Sequence, residues 1–103
     1  MTPEGKVLSA VTSYLRIEMK NGRCYYERRN AVGLNYRKGI PDIWFTKNGK
    51  HYEVELKRPG GTRSTLQYKY EKIFKELNTE YVCIDSFEKF LEFYHKDDKS
   101  PDE

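Results

Sequence analysis

Asp42, Glu55 and Lys57 lie in one run, residues 39–57: Gly-Ile-Pro-Asp-Ile-Trp-Phe-Thr-Lys-Asn-Gly-Lys-His-Tyr-Glu-Val-Glu-Leu-Lys. Asn48-Gly49 in its middle is a hairpin signal, because both residues accept the positive φ of a tight two-residue turn. With these two as the loop, Lys47 pairs with Lys50 and paired positions sum to 97, as do 42 and 55. Asp42 and Glu55 therefore face each other, and Lys57, two residues further on, projects from the same face. Opposed side chains sit roughly 4.5–5.5 Å apart at Cβ, where like charges are destabilising. A cation between them offsets that cost. Two carboxylates and a backbone carbonyl make a hard, all-oxygen site that suits Mg²⁺ or Mn²⁺. Such an ion polarises phosphoryl oxygens and lowers the pKa of bound water.

The opposite parity checks this register. Ile43 pairs with Val54 and Phe45 with Tyr52, and Leu56 continues the same apolar face. A slip of one residue would turn Asp42 into the core. A lone acid on the polar face would read as solvated. Asp42, Glu53 and Glu55 crowded there with Lys57 favour the metal reading.

The elements that hold this hairpin follow from caps and periodicity. Thr2-Pro3 opens a helix, Thr2 as N-cap and Pro3 at the first helical position. Val7, Leu8, Val11, Tyr14 and Leu15 recur at helical spacing up to about Lys20, before Asn21-Gly22. Residues 23–31 read as a strand, 32–40 as a Gly-bearing loop, and Arg58-Pro59-Gly60-Gly61 ends the third strand. Ser64-Thr65-Leu66-Gln67 matches a capping box, and Leu66, Tyr70, Ile73, Phe74 and Leu77 form a stripe behind it. Residues 80–85 read as a fourth strand, and a last helix from Ser86 to about Lys96 carries Phe87, Phe90, Leu91 and Tyr94. The order α-β-β-β-α-β-α predicts an α/β (mixed α+β) domain, a small mixed sheet flanked by helices.

The 103 residues make one domain, 1–96, with no room for a separate recognition domain. Residues 97–103 carry four acids and one lysine, a net −3, so residues 1–96 hold +6 against +3 for the chain. That acidic tail is expected to be disordered. The basic remainder is compatible with a polyanionic partner. No apolar run approaches the ~20 residues of a membrane span, and the N-terminus lacks the apolar stretch of a signal peptide. Cys24 and Cys83 sit in strand-like runs without a CxxC pair and read as reduced core residues of a cytoplasmic protein.

Set in this order of elements, Gly39-Ile-Pro-Asp42, Glu55-Leu-Lys57 and Ser64-Thr-Leu-Gln67 resemble the PD-(D/E)xK nucleases, and within them the VRR-NUC family (virus-type replication-repair nucleases). Arg29-Asn30-Ala31 is similar to that family's second element, and Glu4 sits where many members carry another acid. The likeness spans about residues 4–94. It implies a restriction-endonuclease-like core and metal-dependent hydrolysis of DNA phosphodiesters with Mg²⁺ or Mn²⁺. Asp42, Glu55 and the Leu56 carbonyl would hold the metal and Lys57 would serve the attacking water. Gln67 and Glu4 would support the site. Stand-alone members of phages and bacteria are similar in being small homodimers that cut four-way junctions. The expectation is thus a structure-selective endonuclease, a dimeric Holliday-junction resolvase of a bacterial or phage-infected cell. The alternatives are a nuclease for flaps or other branched DNA, and a non-catalytic nucleic-acid-binding module on the same fold.

Several residues have two readings. Gln67 stands where a capping box needs it, and capping is compatible with a site role. Glu4 in a first helical turn is also favoured by the helix dipole. Glu53, one pleat nearer the turn, reads as solvated or paired with a lysine, and His51 as a surface histidine. Arg28, Arg29, Arg37, Lys38, Arg58 and Arg63 flank the site in sequence and suit phosphate oxygens, with Arg29 and Arg63 the first choices. Tyr14, Tyr52 and Tyr70 fall on apolar faces. Trp44 falls on the acidic face, which calls for a covering helix or a partner subunit.

Overall fold

A computed structural model describes residues 1–29, 37–58 and 60–98. The elements are α1 (Pro3–Lys20), β1 (Tyr25–Arg28), β2 (Ile43–Lys47), β3 (Lys50–Leu56), α2 (Thr65–Glu76), β4 (Glu80–Ile84) and α3 (Phe87–His95). The predicted order is observed. The first strand is shorter than residues 23–31, and Asn30, Ala31, most of the following loop and Pro59 lie outside the described residues.

One four-stranded sheet runs β1-β2-β3-β4, antiparallel except for the parallel β3–β4 pair. That last pair needs a crossover, which α2 supplies. Asn48 and Gly49 adopt φ 53° and 79°, and the β2–β3 register is Ile43 with Val54, Trp44 with Glu53 and Phe45 with Tyr52, as the turn predicts.

The two sheet faces differ. Ile43, Phe45, Tyr52, Val54, Leu56 and Ile84 are buried against Val11 and Leu15 of α1 and Phe90, Phe93 and Tyr94 of α3. Phe45 and Tyr52, opposite each other, stack at 4.6 Å between centroids. The other face carries Trp44, Glu53, Glu55, Tyr81 and Cys83, and α2 covers its β4 side, with Phe74 stacked on Tyr81 at 6.2 Å. The result is three layers, α/β/α. The α2 stripe is only partly covered: Leu66 is 38% and Leu77 69% exposed. Trp44 is half-buried between His51 and Tyr25, at 5.2 and 5.7 Å between centroids.

Caps form as the sequence indicates. Thr2 Oγ1 accepts from Gly5 N–H, and the reciprocal Ser64–Gln67 box is present. Cys24 and Cys83 are free and half-buried. The acidic tail departs from expectation at its first two residues. Asp98 pairs with the buried Lys47 at 2.7 Å, and Asp97 accepts from Tyr52 Oη at 3.0 Å. Lys47 lies on the core face by parity, so its ammonium needs Asp98 and the Tyr94 carbonyl. Residues 99–103 lie outside the described residues. No described helix is long and apolar enough to cross a membrane.

Candidate functional site

Asp42 is the last residue before β2, and Glu55 is next to last in β3. The β2–β3 register, continued one step past Ile43–Val54, sets them opposite each other. Neither lies in open solvent. Glu55 is 2% exposed and Asp42 is half-buried. Asp42 Oδ2 accepts from Leu56 N–H at 2.9 Å, which turns the carboxylate toward β3. Glu55 Oε1 accepts from Gln67 Nε2 at 2.6 Å. Glu55 Oε2 is buried without a hydrogen-bond partner.

Burial, and then the negative charge of Asp42, push the Glu55 carboxyl up to about 9. Burial also raises Asp42, against the pull of the Leu56 N–H. Both carboxyls therefore hold a proton more readily than they would in water.

Gln67 reaches Glu55 because of its cap. Its Oε1 accepts from Ser64 N–H at 2.8 Å while Ser64 Oγ accepts from Gln67 N–H at 3.2 Å, leaving Nε2 for Glu55. One side-chain amide thus caps the helix and also bonds Glu55. The first turn of α2 is held there by Gly39, at φ 87°. A Cβ on Gly39 would fall 2.5 Å from Leu66 Cβ and 3.2 Å from Gln67 N, so the loop before Asp42 lies directly on the helix start.

Lys57, Leu56 and Gln67 line a pocket of about 240 Å³ with Glu4, Arg58, Gly61 and Thr62. Glu4 thus comes to the same pocket from α1, although its side chain is exposed. Lys57 is half-buried, its amide bonded to Ile84 O at 2.9 Å. Among the described residues, no three His, Cys, Asp and Glu side chains come together as a metal cluster. The candidate ligand set is the two carboxylates and the Leu56 carbonyl. The unpartnered Glu55 Oε2, opposed to a second carboxylate, fits a divalent cation there, since the ion would satisfy that oxygen.

The proposed nucleic-acid contacts divide into two groups. Arg28, Arg37, Lys38 and Arg58 are exposed. The two first choices are turned inward. The Arg63 side chain is 10% exposed, bonded to Glu71 at 2.7 Å and Tyr81 Oη at 2.6 Å, and stacked on Tyr68 at 4.4 Å. Arg29 bonds both oxygens of Glu53, at 2.5 and 2.9 Å, and Pro41 O at 2.9 Å. Arg29 answers a buried carboxylate, and Arg63 the half-buried Glu71 and Tyr81. Glu53 is likewise neither solvated nor lysine-paired. It is 1% exposed, between Arg29 and the exposed His51, whose Nε2 lies 2.5 Å from Glu53 Oε2. The Arg29–Glu53 pair is the feature that sequence reasoning missed. The β1–β2 register would have revealed it, but a long loop between those strands hides that register.

Comparison with protein-family models, with curated proteins and with solved structures finds no match to this chain.

Proposed function

We propose that this protein is a metal-dependent, structure-selective DNA endonuclease on a PD-(D/E)xK core, and that it acts as a homodimer on four-way junctions. The observation that carries the reading is the opposed Asp42–Glu55 pair, with a buried, unsatisfied oxygen on Glu55 and Gln67 bonded to the other. An isolated acid pair of this kind costs stability, and a divalent cation offsets it.

Asp42, Glu55 and the Leu56 carbonyl would hold Mg²⁺ or Mn²⁺, which when bound supplies charge for a phosphoryl oxygen and acidifies water. A cation held there would favour both acids in their ionised form. Gln67 keeps Glu55 Oε1 aimed by donating to it. Lys57 orients the attacking water and stabilises charge on the phosphate, while Glu4 borders the pocket from α1. The exposed Arg28, Arg37, Lys38 and Arg58 supply phosphate contacts. The exposed Leu66, Tyr68 and Leu77 of α2 are apolar surface that a second copy would cover. A two-fold dimer would present two sites to the symmetric strands of a junction.

The test is incubation with Mg²⁺ or Mn²⁺ on junction, flap, single-stranded and linear duplex DNA. Junction cleavage with linear DNA spared is expected; equal cutting of linear duplex would sink the structure selectivity. Sedimentation at micromolar concentration should show a dimer.

A further inference from the structure

We propose that Arg29 is a positioning residue, which acts through Asp42 and not on nucleic acid. Its effect on turnover rests on the nuclease reading above; its effect on the placement of Asp42 does not. Two contacts tie Arg29 to the segment that carries Asp42, and a third ties it to β3. Its amide donates to Asp42 O at 2.8 Å, its Nη1 to Pro41 O at 2.9 Å, and its guanidinium grips Glu53 with both Nη atoms. Glu53 belongs to β3, the strand that also bears Glu55. Arg29 therefore clips the Pro41–Asp42 backbone to the strand that carries its partner acid.

The clip lies at the start of β2, which begins at Ile43, and Pro41 has no N–H to give a ladder. The Arg29 amide holds the Asp42 backbone, and its side chain adds the bond to Pro41 O and the grip on Glu53. The Arg29 side chain is 24% exposed and its acceptor Glu53 only 1%, so turning the guanidinium to a phosphate would leave that buried carboxylate with His51 alone. A lysine would not replace it, because one ammonium does not match the planar fork that spans a carboxylate and a carbonyl.

The test uses Arg29→Gln, Arg29→Lys and Glu53→Gln in the full chain, each checked for folding by circular dichroism. Three quantities are read: exchange of the Leu56 amide relative to the β3–β4 ladder amides, Mn²⁺ affinity by calorimetry, and the salt dependence of junction binding in Ca²⁺. In all three variants, Leu56 exchange should accelerate and Mn²⁺ affinity fall, each at least tenfold. The salt slope should not change. Glu53→Gln is the decisive arm, since Glu53 is too buried to meet DNA. Wild-type exchange at Leu56 in both Arg29→Gln and Glu53→Gln would overturn the proposal. So would a salt slope reduced by about one in Arg29→Gln, the mark of a lost phosphate contact. If the wild-type protein neither binds Mn²⁺ nor cuts DNA, the nuclease reading fails and the exchange data alone decide the role of Arg29.

Discussion

At the scale of the residue, the protonation of Glu55 is the central quantity. Its carboxyl titrates near 9 in the folded chain against about 4.5 unfolded. The folded state thus holds the proton more tightly. Stability is fully present below pH 4.5 and declines as pH rises toward 9, by on the order of 3 kcal/mol at pH 7. Urea unfolding in EDTA across pH 5–9 should show this decline, and Glu55→Gln should flatten it. Mn²⁺ binding should release a proton and strengthen as pH rises through the same window, measurable by calorimetry in buffers of different ionisation enthalpy. Asp42→Asn keeps an oxygen for the Leu56 amide while removing a charge. It should abolish cleavage and raise metal-free stability at pH 8; an inactive variant that is less stable would count against the opposed acids.

At the scale of the element, the start of α2 couples a cap to the site. Ser64→Ala removes one half of the box and should cost about 1 kcal/mol of unfolding free energy, with cleavage largely retained because Gln67 still holds Ser64 N–H. Gln67→Glu preserves the box but sets a carboxylate in place of the Nε2 that meets Glu55 at 2.6 Å. Cleavage should fall at least tenfold with the helix intact by circular dichroism. An unaffected Gln67→Glu enzyme would reduce Gln67 to a cap. The cap was legible because its spacing is local, whereas a role for Gln67 near Glu55 followed only from the resemblance. The seat for that helix start, Gly39 against Leu66, was not legible, because it joins segments from either side of the hairpin.

At the scale of the whole molecule, the chain closes on itself where an acidic tail was expected to be free. Asp98→Asn leaves Lys47, whose side chain is 7% exposed, without its counter-charge. Unfolding should then cost about 1 kcal/mol less, a fall of roughly 4–8 °C in Tm for a domain this size, discounted for the exposure of Asp98. A melt unchanged in calorimetry would make the contact incidental. Much of the architecture was written in short-range signals. The Asn48-Gly49 turn determined which residues oppose Asp42, alternation determined which face is apolar, and Thr2 and Ser64 determined where helices begin. Each depends on neighbours within one element or one tight turn. Only the tertiary structure decided what the arginines touch. Arg29 and Arg63 look like phosphate ligands in a basic sequence, yet each meets a carboxylate, Glu53 across the sheet and Glu71 in the second turn of α2. A sequence carries the charge of such a residue but not its surroundings. For Arg29 the burial of Glu53 sets the pairing, and burial is a property of the packed chain alone.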